Sequence, residues 1–143
     1  NIPKESAKDY IFGYTIGNDL SVRNLQSKHV QWFKGKSLDS CCPLGPAIVT
    51  REDFSYPPAL SISSKVNGQV RQQSNTKELI FSIDEILSDF SKGLTLYPGD
   101  IILTGTPAGV GFGFDPPKLL HPGDTISCEI EGIGSLTNTV AQD

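Results

Sequence analysis

The sequence predicts a mostly β fold of the α+β class with one or two short helices, on the strength of three observations. Only residues 82–92 carry a helical apolar period with both ends marked. Asn67-Gly68 stands between two strand-like runs as a two-residue hairpin turn. Pro98-Gly99-Asp100 and Pro122-Gly123-Asp124 are matching turns, each followed by a β-branched run. No strand–helix–strand alternation appears, so a parallel sheet is not expected.

The elements follow in order. Asn1 to Lys8 is polar, contains Pro3, and reads as a loop or a short helical turn. Tyr10 to Ile16 is aromatic and β-branched, hence a strand. Asn18-Asp19 closes it and caps a short helix from Leu20 to about Ser27. A polar loop holding Trp32, Gly35, Lys36 and Ser37 comes next. Pro43-Leu44-Gly45-Pro46 forbids helix, and Ala47 to Thr50 is a short strand. Leu60–Val66 and Gln69–Gln73 form the hairpin. Ser82 and Glu85 make a capping box for the one clear helix, and Gly93 ends it. Strands are expected at Ile101–Thr104, Thr125–Ile130 and Ser135–Val140, the last after a Gly132-Ile133-Gly134 turn. No linker-like stretch divides the 143 residues, so they are read as one domain, residues 1–143.

Composition narrows the function. A net charge of −4 argues against a nucleic-acid surface, which needs clustered Lys and Arg. Apolar runs such as Ile101-Ile102-Leu103 are far too short to span a bilayer, and no signal-peptide pattern opens the chain. Three cysteines (Cys41, Cys42, Cys128) without a CxxC pair make neither a disulfide framework nor a zinc cage, and read as buried free thiols in a reducing compartment. That reading favours the cytoplasm, with the mitochondrial matrix open. With only His29 and His121 available, any bound metal must rely on oxygen ligands, which favours Mg²⁺, Mn²⁺ or Ca²⁺ over zinc.

Three constellations carry chemistry. If the chain is helical from Leu20, then Asp19, Arg23 and Gln26 share one face, and a carboxylate, a guanidinium and an amide converge there. That set suits a metal ion and an anionic substrate; an aspartate cap followed by a surface ion pair would use the same residues. Gly35-Lys36-Ser37 is not a phosphate loop, because Val30 stands where that motif needs glycine. Lys36, beside glycine and tryptophan, is either a cation facing a substrate oxyanion or a solvated surface lysine. Thr104-Gly105-Thr106-Pro107-Ala108-Gly109-Val110-Gly111 offers a close backbone approach and a hydroxyl, but fails the dinucleotide fingerprint at Phe114. His29, His121, Asp100 and Asp124 read as loop and turn residues.

Taken together and in this order, the motifs resemble the fumarylacetoacetate hydrolase family. Gly13-Tyr14-Thr15-Ile16-Gly17-Asn18-Asp19 with Ser21, Arg23 and Gln26 is similar to its metal-aspartate segment. Gln31-Trp32 and Gly35-Lys36-Ser37 through Cys42-Pro43-Leu44-Gly45-Pro46 resemble its lysine loop. Val66-Asn67-Gly68, Arg71-Gln72, Asn75-Thr76 and Ile80-Phe81 follow its hairpin and helix lead-in. Pro98-Gly99-Asp100 to Thr104-Gly105-Thr106-Pro107 and Gly109-Val110-Gly111 resemble its threonine loop, and Gly123-Asp124 with Glu129 to Gly134 completes the series.

The resemblance implies a mixed β-sandwich roll, a homodimer, and a small oxo-acid substrate, with no nucleic-acid or membrane partner. Asp19 would be a ligand of Mg²⁺ or Mn²⁺, with Ca²⁺ admissible; Arg23 and Gln26 would bind substrate or water, and Ser40 would lie near the metal's waters. Lys36 would be catalytic, stabilising an enolate, and Thr106 with Gly105 would hold a substrate oxygen. The implied reaction is hydrolytic C–C cleavage of an acylpyruvate-like 1,3-diketo acid, with oxo-acid decarboxylation or keto–enol isomerisation as alternatives within the same chemistry. The family's Glu-x-Glu metal pair and its histidine–glutamate dyad would lie upstream of this segment. The resemblance therefore implies a catalytic domain lacking its N-terminal portion, inactive alone, or else a non-catalytic protein keeping the fold. Asn24 departs from the aspartate that commonly follows the arginine.

Overall fold

The computed structural model describes residues 1–28 and 30–142. Of the residues singled out above, His29 lies outside them. Among the described residues, six strands form two antiparallel sheets, as the mostly β reading expects, and there are three short α-helices where one or two were expected. A two-stranded ribbon pairs β1 (Gly13–Gly17) with β2 (Leu44–Thr50). The larger sheet runs in the order β4-β3-β5-β6, from β3 (Ser61–Val66), β4 (Gln69–Asn75), β5 (Thr125–Ile130) and β6 (Gly134–Thr139). The helices are α1 (Arg23–Lys28), α2 (Phe33–Lys36) and α3 (Ile83–Phe90).

The larger sheet follows from its turns. Asn67 and Gly68 take φ values of 51° and 78°, the left-handed pair that a tight hairpin between twisted strands demands. Asn67 also ties this hairpin to β5: its Nδ2 donates to Asp124 at 2.7 Å, and the Thr125 amide donates to its Oδ1 at 2.9 Å. Asp124 closes its own turn by accepting from the His121 amide at 2.8 Å, and Asp100 does the same from the Tyr97 amide at 2.7 Å. The two turns are thus alike, but only the second opens a strand.

The expected strand at residues 101–104 is not formed. A strand exists only as part of a ladder, and this segment meets β1 through a side chain instead. Leu103 packs so closely on Gly17 that a Cβ there would come within 2.6 Å of it. At the start of the chain, Lys4–Tyr10 winds as a 3₁₀ helix, so the first strand begins at Gly13 rather than Tyr10. The Ile11 amide closes that 3₁₀ turn on the Lys8 carbonyl, which removes Tyr10 from the strand. β2 starts earlier than expected, at Leu44 within the proline-rich stretch.

α3 has the capping box that its sequence announces, with Ser82 and Glu85 each satisfying the other's backbone amide. Its Leu87 packs with Ile2 and Ala7, flanked by Ile11, Ile83, Leu96 and Ile102. On the ribbon, Ile16 is fully buried, and β1 meets β5 while β2 meets β6. A groove of ≈ 1560 Å³ opens between the chain start, β1 and residues 94–104, with Phe12, Ile48, Tyr97, Ile101 and Leu103 exposed along it. Among the described residues, no helix is long and apolar enough to cross a membrane.

Candidate active site

The aspartate segment is an extension of the ribbon. Beyond β1, the Asn18 amide donates to the Pro43 carbonyl at 3.1 Å and the Leu20 amide to the Cys41 carbonyl at 2.9 Å. Asp19 lies between these two bonds, with its backbone held on either side. This overturns the expected helix from Leu20, and with it the shared helical face of Asp19, Arg23 and Gln26. Residues committed to a ladder cannot enter a helix, so α1 starts only at Arg23, after the Val22 carbonyl accepts from the Leu25 and Gln26 amides.

Lys36, at the end of α2, reaches Asp19. Its Nζ stands 2.7 Å from Asp19 Oδ2. The expected polar loop around it is in fact the one-turn helix α2, pressed against α1 at Gly35. A Cβ on Gly35 would lie 2.8 Å from the Gln26 amide nitrogen, and the Gly35 carbonyl accepts from the Val22 amide at 2.9 Å. Only glycine allows this approach, which sets where the next residue, Lys36, begins. Exposed ion pairs are usually worth little because two long side chains must be ordered. Here both partners start from fixed backbone, and Lys36 is 29% exposed against 41% for Asp19.

Arg23 and Gln26 form a second unit. Arg23 Nη1 donates to Gln26 Oε1 at 2.8 Å, and the guanidinium lies 5.4 Å from the centre of the Phe112 ring. Gln26 is buried at 7% exposure, so its contribution is to orient Arg23, whose other N–H groups have no partner among the described residues. Phe112 belongs to the glycine-rich loop and brings α1 and that loop together; nothing in the sequence marks it for this role.

Thr106 is positioned by the larger sheet. Gln72 on β4 donates through Nε2 to Thr106 Oγ1 and to the Pro107 carbonyl, both at 2.7 Å, while Ser64 on β3 donates to Gln72 Oε1 at 2.8 Å. Because Thr106 Oγ1 accepts from Gln72, its own hydroxyl proton remains free to donate. Three residues on, Gly109 has φ +108°, and a Cβ there would come within 2.0 Å of the Arg71 carbonyl oxygen. The loop is therefore fastened to β4 at two points. Nothing lies within 4 Å of the place a Cβ would take at Gly105, so the backbone beside Thr106 is open to a ligand.

Two groups thus emerge: Asp19 on the ribbon's extension with Lys36 of α2, and Thr106 with Gly105 on a loop hung from the sheet. The Leu103–Gly17 packing and the Arg23–Phe112 contact join them. The large groove ends at Gly17 and Thr104, short of Asp19, Arg23, Lys36 and Thr106.

Among the described residues, no three His, Cys, Asp or Glu side chains converge as a metal cluster. Asp19 Oδ2 is taken by Lys36, and no donor among the described residues reaches Oδ1. One free carboxylate oxygen fits a small hard cation that keeps its waters and takes further oxygens from substrate; it does not fit a closed all-protein cage. Glu129 and Glu131 have ligand-like spacing but are occupied elsewhere. Glu129 pairs with Lys65 at 3.0 Å, and Glu131 accepts from the Ser61 amide at 3.1 Å. Ser40 is exposed, with φ 62°, in the turn after α2. All three cysteines are free, but Cys42 is exposed, contrary to the expectation of buried thiols; its chain position is fixed by the backbone bonds of Cys41 and Pro43 on either side. Burial raises the Cys128 thiol above its ordinary value, which keeps it protonated and inert.

Comparison with known proteins shows the family and the fold. The family described as fumarylacetoacetate (FAA) hydrolase C-terminal matches residues 1–141. The chain is 50% identical over 139 residues to the oxaloacetate tautomerase YisK of Bacillus subtilis, covering 97% of this chain and 46% of that protein. Its fold superposes on a fumarylacetoacetate hydrolase from Exiguobacterium antarcticum with a TM-score of 0.95 at 48% identity, covering 99% of this chain and 51% of that one. A fumarylpyruvate hydrolase from Pseudomonas aeruginosa, in complex with Mn²⁺ and pyruvate, superposes with a TM-score of 0.88 at 32% identity, covering 99% of this chain and 59% of that one. The chain thus spans about half the length of the relatives it matches, and its relatives include both hydrolases and isomerases. On the match over residues 1–141 and the shared fold, the chain belongs to the fumarylacetoacetate hydrolase family.

Proposed function

We propose that this chain forms part of an enzyme that binds a small 2-oxo acid at a divalent cation and interconverts its keto and enol forms. The observation that carries this reading is the 2.7 Å contact between Lys36 and Asp19, which fixes an ammonium beside a carboxylate with one oxygen still free. The 50% identity to an oxaloacetate tautomerase supports the same reaction class.

The residues divide the work by chemistry. Arg23, already oriented by Gln26, has N–H groups left for the substrate's carboxylate. Thr106 offers its hydroxyl proton to a second substrate oxygen. Lys36 carries two ammonium protons beyond the one given to Asp19, and donates them to the oxygen on which enolate charge builds. A bound Mg²⁺ or Mn²⁺ held by Asp19 would supply Lewis-acid polarisation of the oxo group. Asp19, Lys36 and Arg23 sum to one positive charge, which suits an acidic substrate. We take the assembly to be a homodimer and the compartment to be the cytoplasm.

Hydrolytic C–C cleavage of an acylpyruvate-like 1,3-diketo acid is the second reading, favoured by the likeness to the fumarylpyruvate hydrolase that holds Mn²⁺ and pyruvate. Both reactions pass through an enolate, so the same residues serve. The deciding experiment, run on the whole enzyme of which this chain forms part, follows the enol absorbance of oxaloacetate beside the diketo absorbance and pyruvate release of an acylpyruvate, with Mn²⁺ present. Enol loss above the spontaneous rate, abolished by Asp19→Asn, is the expected result. Pyruvate release with no effect on oxaloacetate would replace the first reading with the second, and activity indifferent to Asp19→Asn would remove Asp19 from both.

A further inference from the structure

Phe112 is a large apolar side chain that the core does not use. It is 57% exposed, and the Arg23 guanidinium lies 5.4 Å from the centre of its ring. Its backbone, however, is fixed on both sides. Phe112 is the middle residue of a 3₁₀ turn, Gly111–Gly113. The Lys118 amide donates to the Gly111 carbonyl at 2.9 Å, and a Cβ on Gly111 would come within 2.2 Å of the Lys118 carbonyl oxygen. The Gly113 amide closes the turn on the Val110 carbonyl at 2.8 Å. Two residues on, the Phe114 ring lies 5.8 Å from the Arg71 guanidinium of β4 and 4.4 Å from Lys118 Nζ. Phe114 thus anchors the turn to the sheet, and Phe112 is left to meet Arg23.

We infer that Phe112 is a positioning residue, whose ring holds the Arg23 guanidinium ready for the substrate's carboxylate. The inference rests on Arg23 binding that carboxylate, as proposed above. Arg23 is restrained in two ways. Gln26, itself buried, accepts from Nη1 at 2.8 Å, and the Phe112 ring attracts the cation to its face. A guanidinium grips a carboxylate through parallel N–H bonds, so its plane has to be set for both bonds to form. Set beforehand, it loses less freedom when the substrate arrives. The pull comes from the negative face of an aromatic ring, which a leucine of comparable bulk lacks. The carboxylate keeps its charge while the oxo group enolises, so the gain is equal in ground and transition states and belongs to KM, not kcat. The contact also spans the two arms of the site, because Arg23 stands on α1 and Phe112 on the threonine loop.

The test uses the whole enzyme of which this chain forms part, with oxaloacetate, or with an acylpyruvate if that is the substrate turned over. Steady-state kinetics are compared for wild type, Phe112→Leu, Phe112→Tyr, Arg23→Met and the double variant Arg23→Met/Phe112→Leu, each checked for folding by circular dichroism. Phe112→Leu should raise KM about fivefold, the loss expected for a partly exposed cation–π contact, and change kcat by less than about twofold. Phe112→Tyr keeps the ring and should restore the wild-type KM. Arg23→Met should raise KM further, and in that background Phe112→Leu should add nothing, because no cation remains for the ring to hold. A wild-type KM in Phe112→Leu, or an equal rise in Phe112→Leu and Phe112→Tyr, overturns the inference. So does a Phe112→Leu effect that persists in the Arg23→Met background, or one that falls on kcat alone. Wild-type kinetics in Arg23→Met removes Arg23 from substrate binding, and this inference with it, but leaves the proposed reaction standing. A wild-type enzyme that turns over neither substrate overturns the proposed reaction and this inference together.

Discussion

The two sheets support their functional residues in different ways. In the larger sheet, β3 and β5 are paired along both edges, and the turn at Asn67-Gly68 is tied to β5 by side-chain bonds. The ribbon has only β1 and β2, and one of its flanks is a groove bordered by exposed Phe12 and Ile48. A lone two-stranded pair is marginal in water, whereas a four-stranded sheet with a covered face is not. Thr106 hangs from the sturdier sheet through Gln72, while Asp19 sits on the ribbon's extension and Lys36 on the one-turn helix α2. The sheet thus fixes the hydroxyl arm at two points, the Gln72 bonds and the Gly109 approach to Arg71. The acid–cation pair depends on a few: two backbone bonds, one glycine contact and the Ile16 core. Substitutions on the sheet side should therefore separate loss of stability from loss of activity, because they act on one arm of the site alone.

The largest effect is expected at Gly109. Alanine there would place a Cβ 2.0 Å from a β4 carbonyl oxygen, at a φ that side chains disfavour. The contact is backbone against Cβ, at the extra residue of the register shift between Gln72 and Val70 on the edge strand β4. We expect Gly109→Ala to cost about 3 kcal/mol, the upper part of the range for strained backbone, with a steep loss of turnover. Urea unfolding measures the first and oxaloacetate enol decay the second. An unchanged unfolding midpoint would mean that the loop is not clamped to β4, and the contrast between the two arms would disappear.

Gln72 gives a finer division. Gln72→Ala removes both bonds to the threonine loop without creating a clash, so about 1 kcal/mol of stability is at stake. Thr106 then loses the partner that orients its hydroxyl, and turnover should fall by about tenfold, within the range for lost positioning. Mn²⁺ affinity, which belongs to the ribbon, should stay as it is. A parallel fall in Mn²⁺ binding would show that the two arms are one rigid unit.

The same contrast governs what the sequence disclosed. Local rules were written plainly at Asn67-Gly68, at the Ser82–Glu85 capping box and in the twin Pro-Gly-Asp turns, because each is satisfied within four residues of itself. The motif residues Asp19, Lys36 and Thr106 were legible as candidates by chemistry and order. Their partners were not, since the bonds that place them join residues far apart in sequence. Leu20 to Cys41 turns a prospective helix into ladder, and Gln72 to Thr106 converts a plain strand glutamine into a positioning residue. Residues 101–104 have the composition of a strand, but a strand also needs a neighbour, and composition does not supply one. Phe112 under Arg23 is the clearest omission, for an aromatic in a glycine-rich loop carries no mark of the cation it will meet.

The smallest effect lies where the ribbon is approached from the helical core. Lys4, in the 3₁₀ turn that leads into β1, pairs with Glu85 of α3 at 2.9 Å. The hydrogen bond from Lys4, then that from the Ser82 amide, holds the Glu85 carboxyl below its ordinary value. A depressed carboxyl stabilises the fold above the unfolded-state pKa, and that contribution is lost as pH falls through the folded-state value. The group is solvent-exposed, so the effect is small. Glu85→Gln should lower the urea midpoint slightly at pH 7, and the gap to wild type should close as pH drops below the ordinary glutamate range. Enol decay should not change, because this strut touches neither arm of the site. A gap that stays constant with pH would show that the loss does not come from the ionised carboxylate, neither in the Lys4 pair nor in the capping box.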